Sequence, residues 1–167
     1  MADGTSASME QVVDDLIRGL RKMPAYEGVS FRGATIEDTF GRSSGTVVAQ
    51  GLTATSRDPR IATENFSTPA LYAVVGNLGR SIESVSQHPA EQEVVFLPGT
   101  LFRALTQVRF DDLLITVVEQ LDLDREPGAP KGRLDELLET VAAAVRQAQQ
   151  GNPVEVTSPG KFAGDIV

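Results

Sequence analysis

Glu91-Gln-Glu-Val-Val-Phe-Leu-Pro-Gly-Thr100 is the stretch on which the fold turns. Two glutamates, one residue apart, lead into a β-branched and aromatic run that ends at a Pro-Gly turn. The run predicts a strand over 91–96. Alternation along a strand then sets the Glu91 and Glu93 side chains on one face.

Two patterns upstream bear on the same question. Val29–Gly33 reads as a short strand that carries Arg32 and closes on glycine, and Leu52–Ser56 reads as an extended run of hydroxyl residues stopped by the turn Arg57-Asp58-Pro59. An arginine fork suits a phosphate. Around these patterns the chain divides simply. Met9, Val12, Val13, Leu16, Ile17 and Leu20 recur at helical spacing, so 8–22 predicts an amphipathic helix stopped by Pro24. Residues 38–45 are turn-rich, 46–49 extended and 61–66 a short helix. Leu71–Gly76 is strand-like, 79–90 a polar connection, and 101–105 and 113–121 are further strands. A Pro/Gly break at 126–130 precedes a second amphipathic helix over 134–149, and the tail from Gly151 is either loosely ordered or packed as an arm. Helices set apart from a strand-rich middle make an α+β fold. The expected division is a disordered lead over 1–7, a core over 8–126, and a helix and tail over 127–167 packed on the same domain.

Composition narrows the chemistry. A length of 167 residues suffices for one buried core. A net charge of −8 speaks against binding a nucleic-acid backbone. No apolar run reaches the roughly 20 residues of a membrane span, and no signal peptide is visible. Without cysteine there is no thiol chemistry, and the lone His88 cannot build a multi-histidine metal site. His88 has no Gly-x-Ser-x-Gly elbow to serve, so its plainest role is a solvated loop residue. Taken singly, the other motifs also have plain readings: Arg32 a surface residue, Glu91 and Glu93 a charged strand face, Phe66 core.

In order and conjunction, Phe31-Arg32-Gly33, Leu52–Pro59 and Glu91–Thr100 resemble the Arg-Ser-Glu class of mono-ADP-ribosyltransferases over about residues 26–121. The resemblance implies two packed small mixed or antiparallel β-sheets with flanking helices. It implies NAD as substrate with no metal, and a protein acceptor. Arg32 would bind the NAD phosphates and Gly33 would admit the nicotinamide amide. The hydroxyl segment of the family falls on Ala54-Thr55-Ser56, with Thr53 beside it, and Phe66 falls where an aromatic stacks near nicotinamide. Glu93 would be the catalytic carboxylate and Glu91 the base. The Gly79-Arg-Ser-Ile run looks like the target-recognition loop. One departure stands out: Ala54 occupies the place of the serine that supports the glutamate, and Thr53 or Thr55 is the expected substitute. The Glu-x-Glu pair favours arginine as acceptor. The implied protein is a toxin or effector catalytic domain with an immunity or delivery partner, secreted or delivered by preference, with a cytoplasmic location as the alternative. An NAD glycohydrolase, or a non-catalytic module on the same fold, is the alternative.

Overall fold

The computed structural model describes residues 3–36, 45–123 and 131–166. The turn-rich stretch over 38–44 and the break at 126–130 lie outside the described residues.

Helix α1 (Asp3–Arg21) is followed by strands β1 (Ala25–Ala34), β2 (Thr46–Val48) and β3 (Thr53–Ser56), and by a single-turn helix α2 (Pro59–Ala62). Strand β4 (Ala70–Ser81) is the longest. A 3-10 turn (Pro89–Glu91) leads into β5 (Glu93–Phe96), and β6 (Leu101–Phe110), β7 (Leu113–Leu121) and helix α3 (Lys131–Gln150) follow. The α+β class holds. The lead expected to be disordered is helical from Asp3. The helix expected over 61–66 stops at Ala62, because Glu64, Asn65 and Phe66 all take left-handed backbone angles. No described helix is long and apolar enough to cross a membrane.

Strand β4 organises the sheets. On one edge β1 runs antiparallel to it from Ala70 to Arg80; on the other edge β7 runs parallel to Ala70–Val75, and β5 replaces β7 at Arg80 and Ser81. One circuit of strands, β1-β3-β5-β4, therefore closes back on β1, and β7, β6 and β2 continue from β4 on the other side. The two small sheets are thus joined through β4 into one hydrogen-bonded set. Gly79 permits the change of partner, since a Cβ there would stand 2.6 Å from Val94 and 3.0 Å from the Phe96 ring.

The apolar run in β4 is buried on both faces. Ala70, Tyr72 and Val74 join Val94, Phe96, Phe102, Val118 and Ile166 in one cluster. Leu71 and Ala73 join Phe31, Ile115 and Val117 in the other, which α3 covers with Val141 and Val145. Continuous burial explains why 71–75 shows no apolar–polar alternation. The apolar face of α1 is different: Leu20 is buried, but Met9, Val12, Val13 and Leu16 are exposed.

Ile115→Ala in the α3-covered cluster should lower unfolding stability by about 2–5 kcal/mol. Val12→Ala on exposed α1 should change it by less than about 0.5 kcal/mol. Urea unfolding of the two variants compares them directly.

Candidate functional site

Strand β5 is held against β3 with Ser56 opposite Glu93 and Ala54 opposite Val95. Alternation therefore puts Ala54 and Ser56 on the face of Glu93, and Thr53 and Thr55 on the other. Thr55 is fully buried there, its hydroxyl bonded to Ser30 and to the Val94 carbonyl at 2.7 Å each. Neither threonine is placed to replace the hydroxyl missing at Ala54. Ser56 is on the correct face, but its hydroxyl donates to the Glu91 carbonyl at 2.6 Å and accepts from the Asp58 amide at 3.0 Å. It thereby ties the end of β3 to the start of the glutamate segment. Asp58 then caps α2, with Pro59 in the first helical turn.

Glu91 is not on the strand. It ends the 3-10 turn, and Gln92 after it takes a left-handed conformation with φ of 48°. The strand begins only at Glu93, so simple alternation does not relate the two glutamates. They converge all the same. Lys161 Nζ donates to Glu93 Oε2 at 2.6 Å and to Glu91 Oε2 at 3.0 Å. Both carboxylate side chains are almost wholly buried, at 2% and 5% exposure, while that of Lys161 is 36% exposed. The Thr157 hydroxyl donates to the other oxygen of Glu91 at 2.7 Å.

The tail that brings Lys161 here also covers Arg32 and Gly33. Arg32 Nε donates to the Gly164 carbonyl at 2.9 Å, Nη1 to the Ala54 carbonyl at 2.9 Å, and Nη2 to the Ala163 carbonyl at 3.4 Å. The Gly33 amide donates to the Phe162 carbonyl, and the Gly33 carbonyl accepts from the Gly164 amide, both at 2.9 Å. Residues 161–164 therefore run from the glutamates to Arg32-Gly33, a span of about 10 Å for an extended chain. Gly33 must be glycine for a reason on its other side: a Cβ would lie 2.4 Å from the Ala62 carbonyl oxygen.

Phe66 is not part of this convergence. Its ring packs against the α3-covered cluster and borders a shallow recess of about 350 Å³ with Asp111, Asp112 and Gln149. Neither Arg32 nor either glutamate lines that recess. Of the Gly79–Ile82 run, Gly79–Ser81 belongs to β4, leaving residues from 82 onward as the loop before the 3-10 turn. Thr157 and Lys161 went unnoticed in the sequence. The usable signal was slight: Lys161 is the lone cation after Arg146.

Burial acts to raise the Glu91 carboxyl, but hydrogen bonds from Ser158, Thr157 and Lys161, with the lysine charge, outweigh it and hold the group below its ordinary 4.5. Burial likewise acts to lower Lys161, and the two glutamates outweigh it, raising the ammonium above 10.5. A lowered carboxyl stabilises the docked tail above its ordinary value, and that contribution is lost as pH falls through the lowered one. A raised lysine contributes below 10.5 and is lost as pH rises through its raised value. The charged groups on and against the tail include Glu91, Glu93, Arg32, Arg60, Glu155, Lys161 and Asp165. The tail should stay docked across the neutral range and come free on acidification below 4.5. The NMR amide shifts of Gly33 and Gly164, followed against pH, would report its release.

No family model matches the chain. Curated proteins do match it. It is 28% identical over 120 residues to the putative NAD(+)-arginine ADP-ribosyltransferase Mav of Mycobacterium avium (strain 104), a match covering 69% of this chain and 14% of that protein. It is 30% identical over 103 residues to the NAD(+)-protein-arginine ADP-ribosyltransferase Tre1 of Serratia proteamaculans (strain 568), covering 60% of this chain and 22% of that one. The matches thus span less than a quarter of the length of these relatives. Among solved structures, the Vis toxin, an ADP-ribosyltransferase from Vibrio splendidus, superposes with a TM-score of 0.58 at 24% identity, over 75% of this chain and 62% of that one. Vis has also been solved in complex with agmatine, and that structure superposes with a TM-score of 0.59. The chain is thus similar in sequence to parts of proteins named as arginine ADP-ribosyltransferases, and it shares the fold of Vis.

Proposed function

We propose that this chain binds NAD and transfers ADP-ribose to an arginine side chain of a protein. The observation that carries the reading is the convergence of two buried carboxylates on one cation. The site that holds the Lys161 ammonium between Glu93 and Glu91 offers the charge pattern that a cationic sugar and an incoming guanidinium both need. The two relatives described above are named for arginine modification, and agmatine, seen bound to Vis, carries a guanidinium.

The chemistry follows from the residues. When the bond between nicotinamide and ribose breaks, nicotinamide leaves with the bonding electron pair and positive charge develops on the sugar. Glu93, fixed at the start of β5 in a water-poor setting, stabilises that charge. An arginine nitrogen attacks the sugar carbon and loses a proton, which Glu91 is placed to accept. Arg32 lies at the far end of the same cleft. Two of its three described hydrogen bonds go to tail carbonyls, and an anionic diphosphate is a stronger partner for a guanidinium than a peptide carbonyl. Gly33 presents a backbone donor and acceptor side by side, the complement of a primary carboxamide such as that of nicotinamide. Phe66, Thr53 and Thr55 act through packing and hydrogen bonding within the scaffold. In this reading the chain is the catalytic part of a delivered toxin or effector, with a protein acceptor and an immunity or delivery partner.

Glu93→Gln should lower NAD cleavage by about 10²–10³-fold, the size expected when a group aimed at developing charge is removed. Glu91→Gln should reduce transfer to agmatine more than it reduces nicotinamide release. Labelled NAD with agmatine, or with cell protein as acceptor, measures both. Equal labelling by wild type and Glu93→Gln would sink the assignment. Nicotinamide release without any labelled acceptor would favour water as the acceptor.

A further inference from the structure

The cleft assigned to NAD is filled by the chain's own tail, and the manner of filling is specific. Lys161 places its ammonium between the two glutamates, where the reading above puts the cationic sugar and the acceptor guanidinium. The peptide backbone on either side of Ala163 gives Gly33 an acceptor (Phe162 O) and a donor (Gly164 N), the pair a carboxamide would give. Ala163 and Gly164 give carbonyl oxygens to Arg32. Each polar group assigned to ligand recognition is thus matched by a tail group of like chemistry.

The tail is fastened on both sides of this stretch. Upstream, the Asn65 side chain grips Val154 with two hydrogen bonds, at 3.0 and 2.8 Å, and Arg60 holds the Asn152 carbonyl at 2.9 Å. Downstream, Asp165 accepts from the Tyr72 hydroxyl, and Ile166 is buried in the core. Between these anchors the glycines at 160 and 164 have φ of +80° and +128°, angles that L side chains rarely adopt. The middle is thereby shaped to the cleft, while the ends keep it close by if it lifts.

We propose that residues 157–164 form an autoinhibitory strap, a pseudo-ligand that closes the cleft and must lift before NAD binds. The proposal rests on the NAD reading of the site. Its consequence is that the affinity of the wild type for NAD is reduced by the closed fraction of the strap. Loosening it removes that reduction without touching Arg32, Gly33 or the glutamates. Two variants loosen it independently. Lys161→Ala deletes the cation. Gly164→Val puts a β-branched residue at φ of +128°, with a Cβ 3.2 Å from Arg32 Nη2.

The test uses the whole chain. Titration calorimetry gives NAD affinity, and hydrogen exchange at the Gly33 amide reports whether the strap is down. Both variants should expose the Gly33 amide and bind NAD at least tenfold more tightly than the wild type. Saturating NAD should shift the Gly164 amide of the wild type to a fast-exchanging state. Equal NAD affinity in wild type and both variants, with Gly164 still protected at saturation, would overturn the strap and leave the NAD reading intact. Variants whose Gly33 amide exchanges freely yet bind no NAD would overturn the NAD reading itself, and the strap with it.

Discussion

Two carboxylates buried side by side need a cation. Glu91 and Glu93 are nearly inaccessible to water, and their charges meet at a single point. Left alone, such a pair faces both desolvation and mutual repulsion. Removing the cation from a fully buried pair costs about 3–5 kcal/mol. The cost is smaller here, because the Lys161 side chain is 36% exposed and solvent screens part of the interaction. The proposed function uses the same demand: a pocket that is poorly stable without positive charge would stabilise a sugar that becomes positive during reaction. On that proposal, Lys161, an acceptor guanidinium and a ribosyl cation are three ways of meeting one electrostatic requirement.

The scaffold exists to hold that pair in place. Ser56 clasps the Glu91 backbone from β3, and the ladder between β3 and β5 sets the height of Glu93. Strand β4, buried on both faces, brings β5 and β1 into one circuit, so the glutamates and Arg32 lie within reach of one stretch of tail. Gly33 closes the arrangement by letting β1 lie against α2, where even a methyl group would meet the Ala62 carbonyl. Its backbone polar groups, on the other side, pair with Phe162 and Gly164 of the tail.

The sequence made the strands and the order of Arg32, the hydroxyl segment and the glutamates legible, because those features are local: a β-branched run, a Pro-Gly turn, an Asp-Pro turn. What it hid depends on residues distant in the chain. The exit of Glu91 from the strand turns on the left-handed Gln92, and glutamine carries no mark of that conformation. The side on which Thr53 and Thr55 fall depends on the β3–β5 register, which sequence spacing does not set. Phe66 looked placed by its distance from Ala54, but three left-handed residues reorient it toward the α3-covered core. Asp3–Ala7 looked unstructured because a helix needs no apolar residue in its first turn. Lys161 lies 68 residues from Glu93, and no periodicity links them.

Ala54 ties these threads together. The β3–β5 register puts its methyl on the Glu93 face, at the position where the resemblance expects a serine. Lys161 supplies a hydrogen bond to Glu93 in the closed state, so the carboxylate is oriented there without that hydroxyl. Once the lysine leaves, Glu93 must take its orientation from the ligand. A carboxylate left under-supported when its site is empty gains most when a cation arrives. The alanine therefore favours an occupied site over an open one, whether the occupant is the chain's own lysine or a substrate. Alanine at position 54 and lysine at position 161 are, on this argument, two halves of one electrostatic arrangement.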